Sequence, residues 1–302
     1  MHSIQIIGTS KTLEFPETAI EFSRDQLLSF SALVFLYQIK AIEYQDLKVK
    51  IVYSFLNMVR TADLSKNVNN LISENVNAIS KLVDNYFTVE RIEGKKVKKI
   101  DMLFYTQILP EIKINAKTFY GPTSALFNTL YGEYLQLLNY FTAFSQSGNE
   151  QDLDNMVATI YRPKKADYEA AKQSPDYDGD IRIKFNPNQT DDFAKDISKL
   201  PFPVKYAVFL FVASSQHFIA TNNALDIGGG NTIDLTLLFE VSQTKEANSL
   251  GMIGTLYSLA ETKVFGTAKD VANQNTYDVL AFLVNQKTQF NNLKSQQSNA
   301  KT

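Results

Sequence analysis

Asp176, Asp178 and Asp180 stand at alternate positions in Asp176-Tyr177-Asp178-Gly179-Asp180, the first, third and fifth places of a calcium-loop pattern. Such spacing lets three carboxylates converge on one cation. The sixth place, however, is Ile181 rather than Gly, and the twelfth is Pro187 rather than a bidentate Glu. The segment therefore reads as a solvated acidic turn, with Asp176, Asp178 and Asp180 kept as candidates for a weakly held metal ion. Asp226-Ile227-Gly228-Gly229-Gly230-Asn231 has the glycines of a phosphate cradle but not the lysine that reaches the phosphates. It reads as a flexible connection between helices. His217 follows Ser214 and Ser215 in one buried-looking helix, but these spacings do not face one another, and no G-x-S-x-G elbow exists. A hydrogen-bonded core histidine is the reading there.

Tyr161-Arg162-Pro163 closes a helical pattern and is followed by Asp178-Gly179-Asp180-Ile181-Arg182. A guanidinium next to an acidic turn forms bidentate pairs that pin a loop. The expectation is that Arg162 or Arg182 pairs with Asp178 or Asp180, with Tyr161 beside them. No catalytic residue can be nominated. The chain has no Cys and two His, which removes thiolate nucleophiles and Cys-based metal sites and leaves almost nothing for a histidine site. Its carboxylates are too scattered to single out an acid–base pair. The expectation is a protein without enzymatic activity and without a cofactor.

The elements that must hold these residues are mostly helical. Two short strands, Ser3–Ile7 and Thr12–Phe15, flank Gly8-Thr9-Ser10-Lys11. Ser23-Arg24-Asp25-Gln26 has the form of a capping box, followed by Leu27, Phe30, Val34 and Tyr37 at helical spacing. A second helix covers Leu47 to Met58. Leu64 to Phe87 reads as one amphipathic helix of about six turns, its stripe buried in its own core or lent to a partner. Val89 to Ile100 reads as a hairpin around Glu93-Gly94-Lys95, basic in the manner of a solvated edge. Gly121-Pro122 opens the next helix, Ser145 to Asn149 breaks it, and a shorter helix with Leu153, Met156, Val157, Ile160 and Tyr161 inward follows.

From Arg162 to Gln189 periodicity fades apart from a strand-like Ile181–Phe185, giving a loop long enough to be functional or mobile. Helices resume at Asp191–Lys199, Val204–Thr221, Ile233–Val241, Leu250–Glu261 and Thr276–Leu293. The fold class expected is mainly α: multi-helix, bundle-like halves with short β-hairpins at the N-terminus and at about 89–100. The expected divisions are 1–146, 147–294 with the loop 162–189, and a frayed tail at 295–302. A chain of 302 residues, 44% of them hydrophobic, fills a real core. A net charge of −2 argues against nucleic acid as the main partner. The longest uncharged apolar run, Tyr206 to Ala213, is eight residues, against about 20 for a membrane span. Met1 to Lys11 lacks the basic start and apolar length of a signal peptide. The expectation is a soluble protein without membrane or nucleic-acid partners.

Several short segments carry a resemblance. They are Leu13-Glu14-Phe15-Pro16, Ser23-Arg24-Asp25-Gln26, Ile160-Tyr161-Arg162-Pro163, Tyr177-Asp178-Gly179-Asp180-Ile181-Arg182-Ile183 and Lys199-Leu200-Pro201. Towards the C-terminus come Leu256-Tyr257-Ser258-Leu259-Ala260-Glu261, Val264-Phe265-Gly266 and Tyr277-Asp278-Val279-Leu280-Ala281-Phe282-Leu283. In this order the chain resembles proteins encoded among the structural and tail genes of tailed phages and prophages. Its last segment is similar in style to tail-assembly (tape-measure) chaperones. The resemblance implies a protein of the host cytoplasm that binds other phage tail or structural proteins, and it carries over no catalytic residue. The chain is longer than such chaperones and begins with strands, which leaves open a virion-resident tail or neck protein that self-associates.

Overall fold

The computed structural model describes residues 1–5, 10, 12–59, 65–175, 177–239 and 251–299. The fold is mainly α with short antiparallel hairpins, and the chain divides into two compact units. The first joins Met1–Leu109 to Pro201–Phe211, and the second joins Pro110–Leu200 to Val212–Thr302.

In the first unit β1 (His2–Gln5) pairs with β2 (Thr12–Phe15), His2 opposite Phe15. The expected residues 6–9 and 11 of this hairpin lie outside the described residues. Helix α1 (Arg24–Gln38) opens on the expected capping box: Gln26 N donates to Ser23 Oγ at 3.2 Å, and Ser23 N donates to Gln26 Oε1 at 2.9 Å. Helix α2 (Tyr44–Phe55) follows, and then α3 (Lys66–Ser80), with Leu64 outside the described residues.

The six-turn helix expected to Phe87 stops at Ser80. A 3-10 helix over Lys81–Tyr86 takes its place, because a three-residue period stacks Val83 and Tyr86 on one line facing the core. Tyr86 Oη then donates to Pro16 O, while Phe87 starts β3 (Phe87–Ile92), which pairs with β4 (Lys95–Ile100) as expected. The core is aromatic. Phe22 meets Phe30, Phe55 and Tyr86 edge-on at 5.3, 4.9 and 5.0 Å, and Phe104 stacks on Phe30 at 5.2 Å. The segment 201–211 adds the last piece: Phe202 and Tyr206 lie 4.4 and 5.2 Å from Phe35, and Ser31 Oγ donates to Pro203 O at 2.8 Å.

The second unit begins with a hairpin that periodicity missed, β5 (Glu111–Ile114) and β6 (Lys117–Tyr120). Gly121-Pro122 does not open a helix. The backbone groups a helix there would use are taken by the start of the last helix instead. Thr276 N donates to Thr129 O at 2.9 Å, Tyr131 N to Gln274 O at 2.8 Å, and Tyr277 Oη to Ala125 O at 2.6 Å. Helix α4 (Tyr131–Ser147) begins only after this strap. The expected boundary at 145–149 is a tight αα-turn inside this unit: Gly148 takes φ 68°, and Asn149 Oδ1 caps α5 (Glu150–Ile160) by accepting from Gln151 N at 3.0 Å.

Strand β7 (Arg162–Pro163) completes a three-stranded sheet in the order β5-β6-β7. Then come α6 (Tyr168–Ala171), α7 (Thr190–Ile197) and α8 (Phe202–Thr221), whose residues from Val212 onward belong to this unit. Ile181–Phe185 is not a strand; Arg182 makes a single bridge with Lys164. Gly228-Gly229-Gly230, expected between helices, instead turns a small hairpin of β8 (Leu225–Asp226) and β9 (Thr232–Ile233), all three glycines having positive φ. The helix expected at Ile233–Val241 is a 3-10 turn at Leu235–Leu238, because Asp234 Oδ1 accepts from Thr236 N at 2.9 Å and closes the chain tightly; 240–241 lie outside the described residues.

Helices α9 (Gly251–Glu261), α10 (Ala268–Ala272) and α11 (Thr276–Asn299) finish the chain, with the expected Leu250 outside the described residues. The frayed tail expected from 295 is helical to Asn299, since neither Gly nor Pro interrupts it; 300–302 lie outside the described residues. No described helix is long and apolar enough to cross a membrane.

Candidate functional site

Three of the charged residues singled out in the sequence, Arg162, Asp180 and Arg182, meet at a helix end. The last carbonyls of α5 have no partner within the helix, and two arginines supply it. Arg162 Nη1 donates to Thr159 O at 2.6 Å, and Arg182 Nη1 to Ile160 O at 2.8 Å. Cations there also complement the negative end of the helix dipole. Both guanidiniums then converge on Glu133 in the first turn of α4, a carboxylate with 0% exposure. Arg162 grips it in a fork at 2.7 and 3.2 Å, and Arg182 Nη1 reaches Oε1 at 2.8 Å. Asp180 closes the cluster: Arg182 Nε and Nη2 donate to its two oxygens at 2.9 and 2.7 Å. Arg182 itself is completely buried, Arg162 is nearly so, and the Asp180 side chain keeps 13% exposure.

Two cations and two carboxylates thus neutralise one another. Asp178 does not join them. It pairs with Lys165 at 2.8 Å and accepts from Asp180 N at 3.0 Å. Asp176 lies outside the described residues. Among the described residues no group of three or more acidic or histidine side chains is placed to hold a metal ion. The cluster's donors and acceptors are spent on one another, so its work is to clamp. It ties the 162–189 segment to the start of α4 and the end of α5. This segment, long enough by sequence to be functional or mobile, is pinned at Arg162 Nε to Ile183 O, 2.9 Å, and at Lys165 N to Ile181 O, 3.0 Å. Tyr161 is buried beside it.

Glu133 escaped the sequence reading. The signal was an acidic residue on the same helical stripe as Tyr134 and Leu137, a position where a carboxylate is stable only if paired. His217 is a correction: it is exposed rather than a core histidine, while Ser214 and Ser215 are buried. The solvent face of α8 falls at His217 and Thr221, whose Oγ1 donates to His217 O at 2.8 Å.

Burial alone would raise the Glu133 carboxyl, but the Arg162 and Arg182 guanidiniums hold it below the ordinary glutamate value. Asp178 is likewise held low, burial being outweighed by Lys165, and Asp84 by its bonds from Lys98 and Tyr44. A depressed carboxyl stabilises the fold above its unfolded value, roughly 4, and that stability is lost as pH falls through the folded value. Urea unfolding followed from pH 7 downward is therefore expected to show a fall in stability beginning below about pH 4. A flat profile between pH 5 and 3 would contradict the clamp.

A second feature lies on α3. Val76 is buried and Ile72 and Ile79 are half-buried, but further toward the N-terminus Val68 is exposed and Leu71 keeps 60% of its surface. Beside this stripe runs an apolar cavity of about 390 Å³, lined by Ile4, Leu13, Leu56, Met58, Ile72 and Ile79 among others. The outer half of the helix is therefore not buried in its own core.

Comparison with known protein families, characterised proteins and solved structures found no match to this chain.

Proposed function

We propose that this chain is a non-enzymatic protein-binding protein of phage tail assembly, one that covers an apolar helix of another phage protein until that protein is built into the tail. The observation that carries the reading is the outer half of α3, where exposed Val68 and Leu71 extend toward the N-terminus the stripe of Ile72 and Ile79, which line an apolar cavity. A partner helix laid into such a groove is held by side chains at helical spacing. The tail-assembly setting comes from the resemblance of the short segments described above, and the partners are other phage structural or tail proteins. The buried charges support a binding role, since each guanidinium and carboxylate of the clamp is already paired.

A second reading, a virion-resident tail protein that oligomerises, is favoured by α11. Its outer half exposes Phe290 at 63% and Leu293 at 59% on neighbouring turns.

Quantitative mass spectrometry of purified particles beside the infected-cell lysate separates the two. The chaperone reading expects abundant protein in the lysate and none in particles; many copies per particle would overturn it in favour of the structural reading. In the lysate, Leu71→Asp is expected to reduce recovery of the tail partner with the tagged chain about tenfold, equivalent to about 1.4 kcal/mol. Recovery at the level of the native chain would remove α3 as the binding surface.

A further inference from the structure

A two-stranded ribbon standing alone is marginal in water, and the β3–β4 hairpin stands nearly alone. Its root is fastened. Phe87 and Ile100, opposite each other, are buried. Tyr37 Oη donates to Lys98 O at 3.2 Å, and Lys98 Nζ meets Asp84 Oδ1 at 2.8 Å. Beyond the root every residue from Thr88 to Lys96 is exposed. The register places Val89, Arg91, Lys96 and Lys98 on one face and Glu90, Ile92, Lys95, Val97 and Lys99 on the other, so neither face is covered. Among the described residues the sheet has two strands, so beyond the Tyr37 bond to Lys98 O both edges present backbone donors and acceptors with no strand beside them.

The charge on this arm is opposite to that of the chain. Arg91, Lys95, Lys96, Lys98 and Lys99 outnumber Glu90 and Glu93 by three, in a chain of net charge −2. Asp84 engages Lys98 and Glu90 engages Lys99. Arg91, Lys95 and Lys96, at the tip, form no ion pair with any described residue. Between the charges Val89 and Ile92 keep 53% and 44% of their surface.

We propose that the arm is a docking surface for an acidic strand of a partner protein, which adds to the open edge of β4. The backbone ladder supplies the binding, and carboxylates at alternate positions opposite Lys95 and Lys99, which share a face, select the strand. Four lysines on β4 repel a second copy of the same edge, so an acidic strand is chosen over self-pairing. A nucleic acid fits less well. Three unpaired cations neutralise few phosphates, no aromatic ring interleaves with the lysines, and neither Val89, Ile92 nor the backbone edge has a use for a phosphate chain. This surface is separate from the α3 stripe and does not depend on the tail-assembly reading.

The test uses the full chain and a fluorescein-labelled peptide of alternating Glu and Val, with an alternating Lys and Val peptide and a duplex DNA of about 20 base pairs as comparisons, in low salt. The acidic peptide is expected to bind with a Kd of about 10–100 µM and to slow hydrogen exchange of the β4 backbone amides. Lys95→Glu combined with Lys96→Glu is expected to weaken it at least tenfold with the circular dichroism unchanged. Absence of binding at about 1 mM peptide would overturn the proposal. So would equal binding of the two peptides, tighter binding of the DNA, or exchange unchanged at β4. The exchange measurement on the native chain keeps the test decisive if the double variant misfolds.

Discussion

Glu133→Gln lowers the unfolding free energy by about 3–5 kcal/mol, the largest loss expected from a change of so few atoms. The amide keeps the size of the carboxylate but not its charge. It leaves two buried guanidiniums, Arg162 and Arg182, facing one acidic partner, Asp180, instead of two. An uncompensated charge in a dry site is far more costly than the pair was favourable, because both ions have already lost their water. The amide also turns an N–H₂ donor toward donors that need an acceptor. Asp180→Asn, at the wetter end of the same cluster, is expected to cost less, since water can reach its oxygens. Urea denaturation of the three proteins measures the order. Glu133→Gln within about 0.5 kcal/mol of the native chain would mean that the cluster is no clamp.

Phe30→Ala removes the ring at the centre of the first unit's core and is expected to cost about 3–5 kcal/mol. Phe30 has no exposed surface, and its ring lies 5.3 Å from Phe22, 5.7 Å from Tyr86 and 5.2 Å from Phe104. Each such pair adds roughly 0.5–1.5 kcal/mol beyond the area it buries, and a cavity among rigid rings closes poorly. Calorimetry is expected to show a fall in Tm of more than about 10 °C for the transition that reports this unit. A loss under about 1 kcal/mol would place the packing centre elsewhere.

Long amphipathic segments were legible in the sequence: α1 with its capping box, α2, α5, α7, α8 and the β3–β4 hairpin stand where periodicity and turn residues put them. The misses have common physical causes. Where tertiary hydrogen bonds compete with a helix, local pattern is a poor guide, as at 125–131, whose backbone is taken by 274–277. Where a three-residue period serves the core better, an apparent six-turn helix changes form at Ser80. The site was half legible. Arg162, Asp180 and Arg182 belong to a local sequence motif, whereas Glu133 lies far upstream on another helix, and only the fold brings it between the arginines. His217 was misplaced because an apolar run does not say which side of its helix faces water.

The first unit is written in two pieces of chain. Its final segment, Pro201–Phe211, is preceded by a stretch that belongs wholly to the second unit. During synthesis, Phe35 and Ser31 therefore emerge long before Phe202, Pro203 and Tyr206 exist to meet them. At about 5–20 residues per second, the roughly 170 residues between Phe35 and Phe202 impose a wait of about 8–33 s. Through that interval one side of α1 stays unsheltered on the ribosome. The last residues to complete the N-terminal unit arrive as the opening turns of α8, so the order in which the two units close is set by translation as well as by their own stability.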